Sequence, residues 1–119
     1  MRYVDGYVLP VPRKNLPAYC RIAQMAGKVW RKYGALDYKE CTGDDLKTKC
    51  GTPFTQMMKL KPGETVVFAY VVYKSRAHRD SVNKKVMSDP RLKDMCDPKN
   101  LPFDAKRMFW GGFKAIVEA

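Results

Sequence analysis

Histidine is almost missing from this sequence: 119 residues contain only His78. No Cys-x-x-Cys pair occurs either, because Cys20, Cys41, Cys50 and Cys96 stand 21, 9 and 46 residues apart. The usual cysteine and mixed cysteine–histidine zinc motifs are therefore lacking, and the sequence calls for no metal and no cofactor. No apolar run approaches the roughly 20 residues of a membrane-crossing helix. The opening Met1–Gly6 stretch has none of the apolar core of a signal peptide. These absences predict a soluble cytoplasmic protein with no membrane partner and with reduced thiols, a Cys41–Cys50 bridge being the exception to test.

Acidic residues are also scarce, 12 against 23 lysines and arginines, for a net charge of +11. The excess is spread evenly. Residues 1–60 hold 11 basic and 5 acidic side chains, and residues 61–119 hold 12 and 7. Such a field attracts nucleic acid non-specifically and draws in anionic metabolites, and it keeps the chain soluble. Apolar residues make up 45% of the chain, an ordinary globular share that excludes wholesale disorder. The length suits one domain, 1–119, with a single core.

Alternation marks a strand over Tyr3–Leu9, ended by Pro10 and Pro12. Asn15 is the expected cap of a helix running to about Tyr33, with Pro17 in its first turn. Tyr19, Ile22, Ala23, Ala26, Val29, Trp30 and Tyr33 form its apolar stripe, and Gly34 closes it. Ala35–Thr42 reads as a second strand, and Phe54–Leu60 as a short helical turn under the sheet. Thr65–Tyr73 is a third strand with apolar residues on both faces, which predicts burial on both sides. Ser75 caps a second helix to about Met87, a short turn follows at Pro90–Met95, and Arg107–Val117 is the last strand. Its paired Gly111 and Gly112 suggest a bulge or a close backbone approach.

The order β-α-β-β-α-β is that of a ferredoxin-like α+β domain, a four-stranded antiparallel sheet with both helices on one face. Two helices cover only one side, whereas the third and last strands carry apolar residues on both. The remedy is a second copy packed sheet to sheet, so the sequence predicts a homodimer of the dimeric α/β-barrel type.

Particular stretches carry a resemblance: Tyr3–Pro12, Gly34–Tyr38, Glu64–Phe68, Ser75–Asp80, Val86–Arg91 and Pro102–Met108 followed by Gly111-Gly112-Phe113. Together they resemble the YbaA-like family of small bacterial proteins of unknown function, a member of the dimeric α/β-barrel superfamily. The match runs through nearly the whole chain and departs most at Leu46–Met58, which is lysine-rich here. The resemblance implies the paired ferredoxin-like fold and brings no catalytic residues with it. Superfamily relatives include cofactor-independent monooxygenases, heme-degrading enzymes and stress-responsive proteins, and some family members carry a label tied to signal-recognition-particle RNA.

Among individual residues, His78 falls at i, i+4, i+8 with Val82 and Val86, on the sheet-facing side of its helix. It is the candidate base of a cofactor-independent oxidising enzyme; its ordinary reading is a partly buried, hydrogen-bonded histidine. Asp5, between Tyr3 and Tyr7 on one strand face, needs a cationic partner, for which Arg107 is the candidate. A purely structural ion pair is the alternative. Asp104 is a further candidate in the loop before the last strand. Tyr38 and Trp110, with Trp30 and Tyr70, are candidates to line an apolar pocket, although aromatic residues at such spacing more often form core. Arg76, Asp80 and Lys84 are expected to pair along an exposed helix face. The favoured reading is a small aromatic or anionic ligand held between helices and sheet. An RNA-associated basic protein is the competing one, and it needs the sheet face that a dimer would bury.

Overall fold

A computed structural model of the chain describes all residues except Cys96 and Pro98, and the side chains of Asp94 and Met95. The fourth expected free thiol, Cys96, therefore lies outside the described residues. Four strands, β1 (Tyr3–Pro12), β2 (Asp37–Thr42), β3 (Glu64–Tyr73) and β4 (Phe109–Lys114), form one sheet. Its order is β2-β3-β1-β4 and every pairing is antiparallel. Helices α1 (Leu16–Lys32) and α3 (Arg76–Met87) supply Ala26, Val29, Trp30, Val82 and Val86 to a core shared with Tyr3, Val71 and Tyr73. This arrangement is consistent with a ferredoxin-like fold. Two shorter helical segments, α2 (Phe54–Met57) and α4 (Pro90–Met95), lie where turns were expected.

β1 runs three residues beyond its expected end, with Pro10 opposite Val66 and Pro12 opposite Glu64. The prolines are tolerated because of what their missing N–H groups would face. Arg13 donates its backbone N–H to Gly63 next to β3, whereas the carbonyl of Arg2 accepts from Ala115 beyond β4. Odd positions of β1 thus bond toward β3 and even ones toward β4. β4 pairs with β1 only as far as Val8, so Pro10 and Pro12 turn toward a side with no strand to bond.

Helix α1 carries the expected stripe, but its N-terminal cap differs. A 3₁₀ turn at Arg13–Asn15 precedes it, and the Asn15 side chain makes no capping bond, donating instead to the carbonyl of Pro102 (3.0 Å). Gly34 follows the helix at φ 112°, the conformation for which glycine is suited. α3 keeps its predicted cap, the Ser75 side chain accepting from the backbone N–H of His78 at 3.1 Å. Along α3, Asp80 pairs with its neighbour Arg79 (3.0 Å), not with Arg76 or Lys84.

The last strand is shorter than expected. Ala105–Arg107 form a 3₁₀ turn, and Ile116 and Val117 lie exposed beyond Lys114. No bulge interrupts its register with β1. The glycine signal instead marks a close approach, since a Cβ on Gly112 would fall 2.8 Å from the ring of Tyr3.

Register and alternation give the sheet two unlike faces. Toward the helices point Tyr3, Asp5, Tyr7, Leu9, Tyr38, Glu40, Val67, Ala69, Val71, Tyr73 and Trp110. The opposite face carries Val4, Val8, Phe68, Tyr70, Val72, Phe109 and Phe113. Within one chain that face is not buried as the β3 pattern predicted: Phe68, Phe109 and Phe113 are 45%, 58% and 63% exposed.

Candidate functional site

Between α1, α3 and the helix-covered sheet face lies a cavity of about 310 Å³. β1 contributes Tyr7 and Leu9, α1 contributes Tyr19, Ile22, Ala23, Ala26 and Trp30, and β3 contributes Ala69 and Val71. Leu101, Phe103 and Met108 close it from the segment before β4, with Trp110 at its edge and Asn83 and Met87 from α3. The space exists because three alanines, at 23, 26 and 69, face it where larger side chains would fill the layer. Tyr7 stacks on Trp110 (centroids 5.9 Å, 17° between planes), and Trp30 tilts over Tyr38 at 6.0 Å.

Among the described residues, one charged group stands on this wall. Glu40 of β2 lies two residues from Tyr38 and so shares its face. Its two oxygens accept from different phenols, Oε1 from Tyr19 at 2.5 Å and Oε2 from Tyr38 at 2.6 Å. Burial, reinforced by the charge of Glu40, pushes both phenols well above their ordinary pKa, so they remain neutral donors. Gly27 makes this arrangement possible: a Cβ there would sit 2.8 Å from the Tyr38 ring. A mid-helix glycine disfavours helix by about 1 kcal/mol relative to alanine, and here it lets β2 approach α1. On the outer side of the Tyr19–Glu40–Tyr38 wall runs an open groove lined also by Cys20, Gln24, Lys28 and Arg31.

Beneath the cavity a buried polar network ties β1 to both helices. Asp5 is fully buried, with Arg79 Nη1 3.5 Å from Oδ1 and Asn83 donating to Oδ2 at 3.3 Å. The Tyr73 hydroxyl donates to Asn83 Oδ1 (3.0 Å), and Trp30 Nε1 lies within bonding distance of both Tyr73 (3.0 Å) and Asn83 (3.1 Å). Arg79 also reaches the Tyr3 hydroxyl (3.3 Å) and lies over its ring. Burial raises the Asp5 carboxyl above its ordinary pKa, opposed by the Arg79 charge and by the bond from Asn83.

The six residues singled out from sequence separate into two groups. Tyr38 and Trp110 do line the cavity, and Asp5 lies beneath it, reached through Asn83. The expected Asp5–Arg107 pair does not form. Asp5 lies opposite Gly112 in the register, whereas Arg107 grips Glu64 with both terminal nitrogens (2.6 and 2.9 Å) and the Lys59 carbonyl with one. Asp104 caps the 3₁₀ turn, accepting from the backbone N–H of Lys106 (3.0 Å). His78 does not line the cavity. Its Nδ1 accepts from the backbone N–H of Lys74 (3.0 Å), which leaves Nε2, beside Gly34, to carry the proton of a neutral ring. Tyr70, also suggested for a pocket, is on the opposite sheet face.

Glu40, Tyr19 and Tyr7 escaped the sequence reading. Tyr19 was visible as part of a helix stripe and Glu40 as an alternate residue of β2, but nothing local indicates that both meet across the α1–β2 packing. Arg79 did leave a signal. With Val82, Asn83 and Val86 it follows i, i+3, i+4, i+7 spacing, which places its guanidinium on the sheet side. Cys20, Cys41 and Cys50 are free and exposed, so Cys41 and Cys50 are not bridged. Among the described residues no helix is long and apolar enough to cross a membrane.

Residues 2–105 match the model of a family described as "Protein of unknown function (DUF1428)". Over 118 residues the chain is 40% identical to the uncharacterized protein YbaA of Escherichia coli strain K12, and equally to its counterpart in Shigella flexneri. Each match covers 99% of both chains. Solved structures share the fold at low identity. A NIPSNAP domain protein from Burkholderia xenovorans matches at TM-score 0.58 and 14% identity, covering 98% of this chain and 97% of its own. A nipsnap family protein with unknown function from Agrobacterium tumefaciens matches at 0.57 and 11%, covering 96% and 87%. The resemblance read from the sequence motifs is thus met, and the chain belongs to the DUF1428 family of proteins of unknown function.

Proposed function

We propose that this protein binds a small aromatic molecule in the cavity between α1 and the sheet, and that it does so as a homodimer paired through the open sheet faces. The observation that carries the ligand reading is the cavity itself: an apolar space of about 310 Å³, walled by Tyr7, Trp30, Tyr38 and Trp110, with one carboxylate turned toward it. Sites for small molecules combine an apolar, aromatic lining with a few placed polar groups in this manner, and this volume is at the small end of their range. Of the two ligand chemistries expected, anionic and aromatic, the aromatic is favoured. Among the described residues no lysine or arginine lines the cavity, and Glu40 would repel an anion. Tyr38 and Trp110 are then ligand contacts, while Asp5 with Arg79 and Asn83 holds the floor. Arg107, Asp104 and His78 serve the scaffold.

The dimer is supported by the exposed phenylalanines of the second face, which water would otherwise wet as one patch. The competing RNA reading needs cations interleaved with these aromatic residues. On that face Lys39 is already paired with Asp37 at 2.6 Å. Free, exposed thiols at Cys20, Cys41 and Cys50 suit a reducing cytoplasm.

Calorimetric titration with naphthylmethanol, a neutral two-ring probe, tests the cavity. Binding in the micromolar-to-millimolar range is expected. Ala23→Leu, which projects three more carbons into the space, should weaken binding about tenfold or more while leaving thermal stability unchanged or raised. Equal affinity in the two proteins would place the probe elsewhere and sink the reading.

A further inference from the structure

Among the described residues, the acids that are buried or half-buried are matched with cations, with one exception. Asp5 has Arg79, Glu64 has Arg107, Asp89 has Arg91 and the more open Asp37 has Lys39. Glu40 has no cationic partner among the described residues, in a sequence where basic side chains outnumber acidic ones almost two to one. Lys28 and Arg31 line the outer groove with Glu40, and neither forms an ion pair with it. Arg31 is spent on the carbonyls of Ala35 and Leu36.

The two phenol bonds leave Glu40 short of neutralisation. Each oxygen accepts once, and a carboxylate offers about four acceptor positions. Phenols lend partial charge only, so the negative charge borders an apolar space with room for a counter-charge. The rings of Tyr7, Trp30, Tyr38 and Trp110 line that space, and any ring face that meets a ligand there also favours a cation through its negative quadrupole. Carboxylate and ring faces therefore select the same ligand charge.

We propose that Glu40 is the recognition group for an organic cation: the ligand of this cavity is an aromatic amine in its ammonium form, whose N–H donates to Glu40 while its ring lies among the aromatic side chains. This inference rests on the cavity reading above. Tyr19 and Tyr38 act as positioning residues that hold the carboxylate in one orientation. The positive field of the whole protein slows the approach of such a ligand, so selectivity arises inside the cavity, where the low dielectric strengthens the contact.

Three probes of one shape decide the matter: naphthylmethylammonium, naphthylmethanol and naphthylacetate, each titrated calorimetrically into the full chain at neutral pH. The cation is expected to bind about tenfold tighter than the alcohol, as a bond from a charged donor replaces one from a neutral donor to the same carboxylate, and the acetate weakest. In Glu40→Gln the preference for the cation should collapse to within about twofold while alcohol binding persists. Equal binding of cation and alcohol to the wild type, or tighter binding of the acetate, would overturn the inference while the cavity stood. A cation preference that survives in Glu40→Gln would overturn it equally. Binding of none of the three would remove the cavity reading itself. Equal binding or an acetate preference in the wild type overturns the inference without any variant, so a Glu40→Gln protein that fails to fold still leaves it open to refutation.

Discussion

At the scale of single residues, the carboxylates divide by what meets them. Asp89 accepts from Arg91 through side chain and backbone and from the Tyr33 hydroxyl at 2.8 Å, and these bonds hold its carboxyl well below the usual range. The folded state thus takes up this proton less readily than the unfolded chain. Its stabilising effect is present above roughly pH 4, the unfolded value, and is lost as pH falls toward the lower folded value. Asp89→Asn should therefore lower the melting temperature at pH 7, with the gap to wild type narrowing as the solution is acidified below about pH 4. A gap that stays constant down the acid range would contradict the assignment. Asp5 was legible as a buried carboxylate in need of a partner, because a charge between two tyrosines on a strand face has nowhere wet to go. Its partner was not legible. Strand register sets Arg107 near the far end of β1, and only the docking of α3 brings Arg79 across 74 positions of sequence.

At the scale of elements, most of the pattern was readable. The α1 stripe, the Ser75 cap and the two-faced β3 follow from local periodicity and side-chain chemistry, which act over one or two turns. The errors fall where a neighbour decides: the prolines of β1 are permitted by the short reach of β4, and Asn15 is drawn from its capping role by Pro102. Gly27 illustrates the same dependence. In an isolated helix Gly→Ala stabilises by about 1 kcal/mol. Here the new methyl would strike the Tyr38 ring, and overpacking of this kind costs about 1–3 kcal/mol. Gly27→Ala is thus expected to destabilise the protein by about 1 kcal/mol in urea unfolding and to weaken probe binding by displacing Tyr38 from Glu40. A stabilised variant with unchanged binding would show that α1 and β2 have slack between them.

At the scale of the whole molecule, the helix-covered face holds the cavity and the opposite face holds the phenylalanines. The proposed ligand binding and the proposed pairing therefore use separate surfaces. Replacing Phe68 and Phe113 together by Glu should convert a dimer to a monomer in multi-angle light scattering while naphthylmethanol still binds. A wild-type monomer at tens of micromolar, or a doubly substituted protein that still dimerises, would refute sheet pairing. The net charge of +11 belongs to this scale as well. It governs encounter and solubility, and it names neither the fold nor the occupant of the cavity.

The sequence by itself determined the element types, their order, the antiparallel sheet with helices on one side, and the family. Those properties depend on periodicity and on short-range chemistry that is written consecutively along the chain. Tertiary structure alone decided that Glu40 meets Tyr19 and Tyr38, that Asp5 takes Arg79, and that His78 stands apart from the cavity. Such contacts depend on register and on helix docking, where a shift of one residue turns every side chain to the other face. Local patterning constrains that choice only weakly, so the site emerges from packing between elements and not from any motif within one.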